Sequence, residues 1–161
     1  TIPDSVTSIG ESAFYSCKSL TSVTMQDGVT NIGDRSFSFC ENLTSITIPE
    51  SVTCIGNEAF MYCKSITNIT IPKKVTFIGV GAFEKCSSLT SVIIPESLTS
   101  IESRTFVGCT ALTKAVIPPG VKTIGDGDDV FENCPYLTIK CRKDTAAHRY
   151  AVYYKKNYVF G

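Results

Sequence analysis

Apolar residues recur along the chain at a fixed interval of 23 residues, with polar residues between them. Five apolar columns return in six successive segments, and the last interval is two residues longer. The phenylalanine column is Phe14, Phe37, Phe60, Phe83, Phe106 and Phe131, and the cysteine column three residues later is Cys17, Cys40, Cys63, Cys86, Cys109 and Cys134. A repeat of this length predicts equal coils stacked into a solenoid, with both columns forming structural ladders inside.

Each repeat predicts two short extended stretches. In the third repeat, Thr44–Ile48 alternates and is rich in threonine and isoleucine, which favours a strand. Pro49 ends that strand because proline cannot donate to a ladder. The second stretch, Val52–Ile55, stops at Gly56, where we expect a positive φ.

The rest of the repeat predicts a turn. Asn57–Cys63 is interpreted as one helical or 3₁₀ turn that directs Phe60 and Cys63 inward. The predicted coil is therefore strand, corner, strand, corner and turn.

The repeat reads L-T-S-[VI]-T-I-P-x-x-V-T-x-I-G-x-x-A-F-x-x-C-x-x-L, and the L-x-x-L-x-L core appears, for example, as Leu43, Ile46 and Ile48. This unit resembles the Treponema pallidum-type (BspA-like) leucine-rich repeat, and the resemblance covers essentially the whole chain. It implies an α/β-type solenoid, a right-handed leucine-rich-repeat superhelix with a parallel β-sheet, six coils of 23–25 residues and a helical C-terminal cap.

The predicted domain organisation follows the repeats. Six repeats span residues 1–139, as 1–23, 24–46, 47–69, 70–92, 93–115 and 116–139, and a cap spans 140–161. The chain begins inside a repeat without methionine, so we expect an N-terminal part to be missing. In the cap, Asp144 is the predicted N-cap of a helix that buries alanine and tyrosine, Asn157 its predicted left-handed C-cap, and Val159–Phe160 a last extended piece.

Composition excludes several functional classes. Fifteen basic and fifteen acidic residues give no net charge, which argues against a nucleic-acid partner, and no apolar run is long enough for a membrane span. The charge is unevenly distributed, with six basic residues and one acidic residue in 140–161, and a cap with solvated lysines is favoured over an anionic-surface contact. One histidine and no tryptophan leave little material for acid–base chemistry, so neither catalysis nor a cofactor is expected.

The eight cysteines allow two interpretations. Their even number suits a disulfide framework, but equivalent side chains on stacked coils lie parallel and too far apart to bond. We therefore favour thiols packed as small apolar groups, with a Cys134–Cys141 disulfide as the alternative near the cap. Zinc is not favoured, since no C-x-x-C pair or paired histidine accompanies them.

Three further features suggest chemistry, each with a simpler explanation. Asp126, Asp128 and Asp129 make a weak calcium candidate but do not match the twelve-residue calcium loop, so an exposed acidic corner is favoured. Cys141, Asp144 and His148 contain the residue types of a thiol nucleophile, without any implied pocket. The outward threonine row could match ice, but it decays to Ile93 and Val116 and reads better as a solvated face.

Candidate binding residues are those that depart from the repeat. Large apolar side chains occur at positions that other coils fill with polar residues, and these are Phe39, Met61, Tyr62 and Phe77. If exposed together they would form a binding patch, and if tucked under neighbouring turns they would be additional core. The alternative surface is the strand face with its flanking lysines, represented by Asn68, Thr70, Lys73, Lys74 and Lys114.

The predicted function is recognition of another macromolecule by a rigid, extended, non-catalytic surface. The resemblance implies a secreted or cell-surface adhesion protein of bacterial type whose partner is a host or extracellular-matrix protein. The alternative is a structural spacer that presents a functional domain absent from this fragment. Many free thiols argue against an oxidising compartment, and an anaerobic bacterial surface would accommodate both features.

Overall fold

The computed structural model describes residues 1–125 and 128–161, apart from the side chain of Asp128. Among these residues the strands are β1 (Ser8–Ile9), β2 (Ser22–Thr24), β3 (Asn31–Ile32), β4 (Ser45–Thr47), β5 (Cys54–Ile55), β6 (Phe77–Ile78), β7 (Ser91–Ile93), β8 (Ser100–Ile101), β9 (Lys114–Val116), β10 (Thr123–Ile124), β11 (Thr138–Cys141) and β12 (Asn157–Phe160). The helices are a 3₁₀-helix, Asp128–Phe131, and α1, Ala146–Tyr153.

The chain winds into a solenoid of about seven turns whose strands pair in parallel with their counterparts one repeat later. One side of each coil contributes to the sheets β2-β4 and β7-β9-β11-β12, which a single bridge between Asn68 and Ser91 extends towards the middle of the chain. A second side forms the sheets β1-β3-β5-β6 and β8-β10. The register places repeat-equivalent residues opposite each other, as in Val23 opposite Ile46 and Val92 opposite Ala115. The predicted parallel-sheet solenoid is confirmed.

The third side of each coil differs from the predicted helical turn. Asn57–Cys63 forms consecutive turns in which Glu58 and Tyr62 have left-handed backbone, with φ of 54° and 60°. These reversals point the N–H groups of Glu58, Phe60 and Tyr62 along the solenoid axis, where each donates to a carbonyl of the next coil at 2.8 Å. Hydrogen bonding between coils therefore replaces the bonds within a helix, and the helical interpretation of this segment is wrong.

Gly56 does not have the positive φ expected at the corner. Its reason is close approach, because a Cβ there would lie 2.4 Å from Asp34 Oδ1 and 2.7 Å from the Asp34 backbone nitrogen. The left-handed residue comes two positions later, at Glu58. The glycine lets one corner stack directly on the next.

The interior is built from ladders along the solenoid axis. The six phenylalanine rings stack with centroids 5.0–5.6 Å apart and planes within 6° of parallel. Phe37 and Phe60, which the repeat predicted to adjoin, have centroids 5.4 Å apart. Phe14, in the first coil, is half-buried, whereas the other five rings are fully buried. The phenylalanine ladder is therefore confirmed.

The cysteine column forms a second ladder, of thiols rather than disulfides. Cys40, Cys63, Cys86, Cys109 and Cys134 are buried, and each Sγ donates to the carbonyl oxygen of a phenylalanine in the preceding coil at 3.1–3.2 Å. Cys17, in the first coil, is exposed. Cys141 is buried on the inner face of β11, and it forms no disulfide with Cys134.

The cap ends the described chain with one helix and one strand. The N-cap of α1 is Thr145, whose Oγ1 accepts the N–H of His148 at 3.3 Å, while Asp144 has a φ of 61° and precedes the cap. The prediction of Asp144 was wrong by one residue because its left-handed backbone does not fit an N-cap. The left-handed residue after α1 is Lys155, not Asn157, which begins β12. The alanine and tyrosine face, Ala147, Tyr150 and Ala151, is buried as predicted.

Candidate interaction surfaces

An aromatic surface runs along the turn side of the first three coils. The rings of Phe39 and Tyr62 stack with centroids 4.7 Å apart and planes 10° from parallel, and Tyr15 meets Phe39 edge-on at 5.5 Å. Both Phe39 and Tyr62 occupy the second left-handed position of their turn, with φ of 61° and 60°. We call Tyr15, Phe39, Met61 and Tyr62 the aromatic ridge. Its members are half-buried except Tyr15, which is 49% exposed.

A shallow groove of about 440 Å³ lies beside the aromatic ridge. It is lined by Ser12, Tyr15, Arg35, Phe39, Glu58 and Met61. Arg35 Nε and Glu58 Oε2 are 2.8 Å apart across one coil boundary, so the polar rim is an ion pair. The arrangement offers apolar ring edges beside a charged donor and acceptor, which is the composition of a protein contact surface.

Two lysines complete the ridge at Tyr62. The Nζ of Lys85 lies 4.9 Å from the Tyr62 ring centroid and donates to its hydroxyl oxygen at 2.8 Å, and the Nζ of Lys64 lies 5.6 Å from the centroid. The hydrogen bond with Tyr62 raises the pKa of Lys85, so its ammonium is held charged. These contacts fix the Tyr62 ring and leave its edge to solvent.

Phe77 does not join the other three predicted patch residues. It lies on β6, on the second strand side, opposite Cys54 in the register, and it is 42% exposed. Phe39, Met61 and Tyr62 lie on the turn side instead. The sequence missed Tyr15, Arg35 and Glu58, whose only signal was their spacing by multiples of 23 from other variable positions.

The alternative strand-face residues lie around a different groove. Asn68, Thr70 and Lys73 line a groove of about 410 Å³ together with Ile93 and Pro95. Lys114 lies on β9, opposite Ser91 in the register, and is exposed. Lys74 is exposed beside Lys73 and does not line the groove.

The calcium candidate cannot be assembled from the described part of the chain. Asp126 and the side chain of Asp128 lie outside the described residues. Asp129 is half-buried, and its Oδ1 has no hydrogen-bond partner among the described residues. The residues that are described bring together no group of three or more ligand side chains for a metal ion.

The candidate thiol nucleophile has the wrong environment. Burial raises the pKa of the Cys141 thiol, which disfavours the reactive thiolate. His148 Nδ1 accepts the N–H of Asp144 at 3.1 Å, and its ring packs edge-on against Tyr158 and Phe160, at 4.9 and 5.1 Å. These contacts give His148 a packing role between α1 and β12.

Comparison with known proteins decides the family. The profile of the BspA type leucine-rich repeat region matches residues 1–103 and 35–158, with six copies. The chain belongs to the BspA-type leucine-rich-repeat family. This family is generally a non-catalytic scaffold whose repeats mediate protein interaction.

Solved structures place the BspA-type chain among bacterial leucine-rich-repeat proteins. A leucine-rich repeat protein from Bacteroides ovatus is 36% identical, with a TM-score of 0.80, over 87% of this chain and 38% of its own. The T. pallidum leucine-rich repeat protein is 35% identical, with a TM-score of 0.80, over 83% and 62%. A leucine-rich cell surface protein from Faecalibacterium prausnitzii is 29% identical, with a TM-score of 0.54, over 83% and 50%.

These relatives are longer than the matched region. The BspA-type chain spans less than two thirds of the Bacteroides and Treponema proteins. No curated protein sequence matches it significantly. None of the helices in the described ranges is long and apolar enough to traverse a lipid bilayer.

Proposed function

We propose that this chain is a non-catalytic protein-recognition module of a secreted or surface-exposed bacterial protein, and that it adheres to a host or extracellular-matrix protein through the aromatic ridge. The observation that carries the proposal is the partly exposed Phe39–Tyr62 stack, at positions where other coils have serine, lysine, glycine and asparagine. Aromatic side chains are enriched where proteins contact one another and contribute a large share of binding energy there.

The rigidity of the scaffold supports this role. The ridge stands on turns whose N–H groups are bonded to the next coil, and the rings below are stacked in a buried column. A surface fixed before binding loses little conformational entropy on association. The location at a bacterial surface is supported by the family and by the description of the Faecalibacterium relative as a cell surface protein.

Binding of the purified chain to a panel of extracellular-matrix proteins, measured by biolayer interferometry, tests the proposal. The double variant Phe39→Ser, Tyr62→Ser should weaken binding by about tenfold or more, as expected for loss of aromatic anchors. Serine already occupies this column at Ser16 with a φ of 57°, so the backbone accepts it.

Phe77→Ser is the matched control. It also removes an exposed aromatic ring, on another side of the solenoid, and its column already has serine at Ser8 and Ser100. Its affinity should stay within about twofold of the parent. If no matrix protein binds, or both variants bind equally well, the ridge has no recognition role and the spacer interpretation is favoured.

A further inference from the structure

A second surface, on the strand side of the later coils, differs in chemistry from the same positions in the earlier coils. The groove at Lys73, Ile93 and Pro95 continues into one of about 320 Å³ that shares Ile93 and Pro95 and is also lined by Val116, Lys140 and Arg142. We call the combined surface, defined by Lys73, Ile93, Val116, Lys140 and Arg142, the cationic groove.

The floor of the cationic groove is apolar and accessible. In the outward row of strand residues, Thr24, Thr47 and Thr70 are followed by Ile93 and Val116. Ile93 is 66% exposed, although large aliphatic side chains are normally buried, and Val116 is half-buried. The row therefore changes from hydroxyl-bearing to aliphatic along the solenoid.

The charge changes over the same coils. The corner position that holds Asp27 and Glu50 in earlier coils holds Lys73 in the fourth. Lys140 and Arg142 add positive charge at the far end, and Lys114 stands next to the groove on β9. Glu96 is the one carboxylate among the residues described as lining it. The groove is thus positive, whereas the equivalent corner of the earlier coils is negative.

The basic side chains of the groove lack the partners that other basic side chains have. Lys18 and Lys64 pair with Glu41, and Arg35 with Glu58, at 2.8–3.2 Å. Arg104 pairs with the buried Glu84 at 2.7 Å. By contrast, within the described ranges no side-chain carboxylate lies within ion-pair distance of Lys73, Lys114, Lys140 or Arg142. Their positive charge is available to a ligand.

The length of the groove limits its occupant. It crosses five strand positions, from Asn68 to β12, and strands about 4.8 Å apart make that about 19 Å. An extended peptide covers this distance with about six residues. Nucleic acid is less suited, because a phosphate backbone would lie on Ile93, Val116 and prolines, without an aromatic stacking platform.

We propose that the cationic groove binds an extended segment of an acidic protein, with apolar side chains on Ile93 and Val116 and flanking carboxylates at Lys73, Lys140 and Arg142. This adds a second surface to the proposed function and rests on it only in that the ligand is a protein. Complementary charge brings the segment to the groove and fixes its register, while the aliphatic floor selects apolar residues between the acidic ones.

Fluorescence anisotropy with three labelled heptapeptides tests the proposal. The probe EELVLEE carries acidic ends and an apolar centre, KKLVLKK reverses the charge, and EESGSEE removes the apolar centre. The parent chain should bind EELVLEE at least about tenfold more tightly than either control peptide, and this binding should weaken as salt is raised. No binding of EELVLEE, or equal binding of EESGSEE, would overturn the proposal.

Variants of the chain locate the binding. Lys73→Glu, which restores the acidic residue of Glu50 and Glu96, should weaken EELVLEE binding by about tenfold, and Ile93→Thr, which restores the residue of Thr24 and Thr47, by about fivefold. Lys18→Glu makes the same charge change in the first coil and should leave affinity within about twofold. Unchanged melting temperatures show that the variants fold, and equal binding by Ile93→Thr and the parent would contradict the assigned floor.

The two proposals fail separately. The aromatic-ridge variant Phe39→Ser, Tyr62→Ser should bind EELVLEE like the parent, because the ridge lies on the turn side. Loss of matrix-protein binding with retained peptide binding would contradict the proposed function alone. Retained matrix-protein binding without peptide binding would contradict the groove alone.

Discussion

At the residue scale, polar side chains enter the core only at particular repeat positions. Ser36 and Ser38 flank Phe37, and both are buried. The hydroxyl of Ser38 donates to the carbonyl of Glu58 in the next coil, whereas Ser36 Oγ has no hydrogen-bond partner among the described residues. The column of Ser36 holds alanine at Ala13, Ala59 and Ala82. Two neighbouring serines therefore make opposite contributions to stability.

Ser36→Ala should raise the free energy of unfolding by about 1 kcal/mol, because an unsatisfied buried hydroxyl carries an uncompensated desolvation cost. Ser38→Ala should lower it by about 1 kcal/mol, since it leaves the Glu58 carbonyl without its donor. Urea midpoints of the two variants and the parent measure both effects. Destabilisation by both substitutions would mean that Ser36 has a partner in solution.

The cysteines differ in reactivity although they share a repeat position. Cys17 is exposed and Cys54 half-buried, whereas the other six lie in the interior. Burial raises the pKa of Cys40 to about 11, and also raises the pKa of Cys63, Cys86 and Cys109. Thiolate is the reactive form, so the buried thiols are protected twice.

In the native protein at pH 8, a thiol reagent such as DTNB should label Cys17 rapidly and Cys54 more slowly. The six interior cysteines should react only on unfolding, and denatured protein should show all eight thiols. Peptide mapping by mass spectrometry identifies the labelled sites. Fewer than six thiols after denaturation would contradict the ladder.

At the element scale, the corner glycines separate close packing from backbone conformation. A Cβ on Gly56 would lie 2.7 Å from the Asp34 nitrogen and 2.8 Å from the Gly33 carbonyl carbon, whereas a Cβ on Gly10 would meet nothing within 4 Å. Neither glycine has a positive φ. The two residues are thus a matched pair at the same repeat position.

Gly56→Ala should lower the free energy of unfolding by about 2–3 kcal/mol, because the methyl group forces neighbouring coils apart. Gly10→Ala should leave it unchanged or raise it slightly, since alanine restricts the unfolded chain. Thermal and chemical unfolding of both variants measures the difference. Similar effects at both sites would show that Gly56 is not a packing requirement.

The same elements show how far sequence predicts structure. The columns predicted the strands and both ladders because a period of 23 residues forces equivalent side chains into contact. The turn was mispredicted because Glu58 and Ala59 suit a helix locally, while bonds to the next coil decide the conformation. Local pattern contains no information about that partner.

The candidate surfaces were predictable only in part. Variable positions revealed Phe39, Met61 and Tyr62, but not that Phe77 lies on a different side. Ile93 and Val116 appeared in the sequence only as a decaying threonine row. Their importance emerges when the stack places them beside Lys140 and Arg142, on a separate segment.

At the scale of the whole molecule, the coils share one continuous core, so effects on equivalent residues accumulate. A thiol whose pKa is raised by folding remains protonated in the native state after the unfolded chain has ionised. Its stabilising contribution is complete below the ordinary pKa of 9.0 and is lost as pH rises from there through the folded pKa. Each such thiol lowers the free energy of unfolding by up to about 1.4 kcal/mol per pH unit.

The chain should therefore lose stability steeply between pH 9 and pH 11, with Cys63, Cys86 and Cys109 acting together. Urea unfolding under reducing conditions at several pH values measures the slope. Lysine and tyrosine ionisation also contribute in this range, so Cys86→Ala is the control. Removing one buried thiol should make the slope shallower by up to about 1.4 kcal/mol per pH unit while lowering stability at pH 7. Parallel slopes for parent and variant would show that Cys86 ionises equally in both states, which is incompatible with a thiol sealed between two coils.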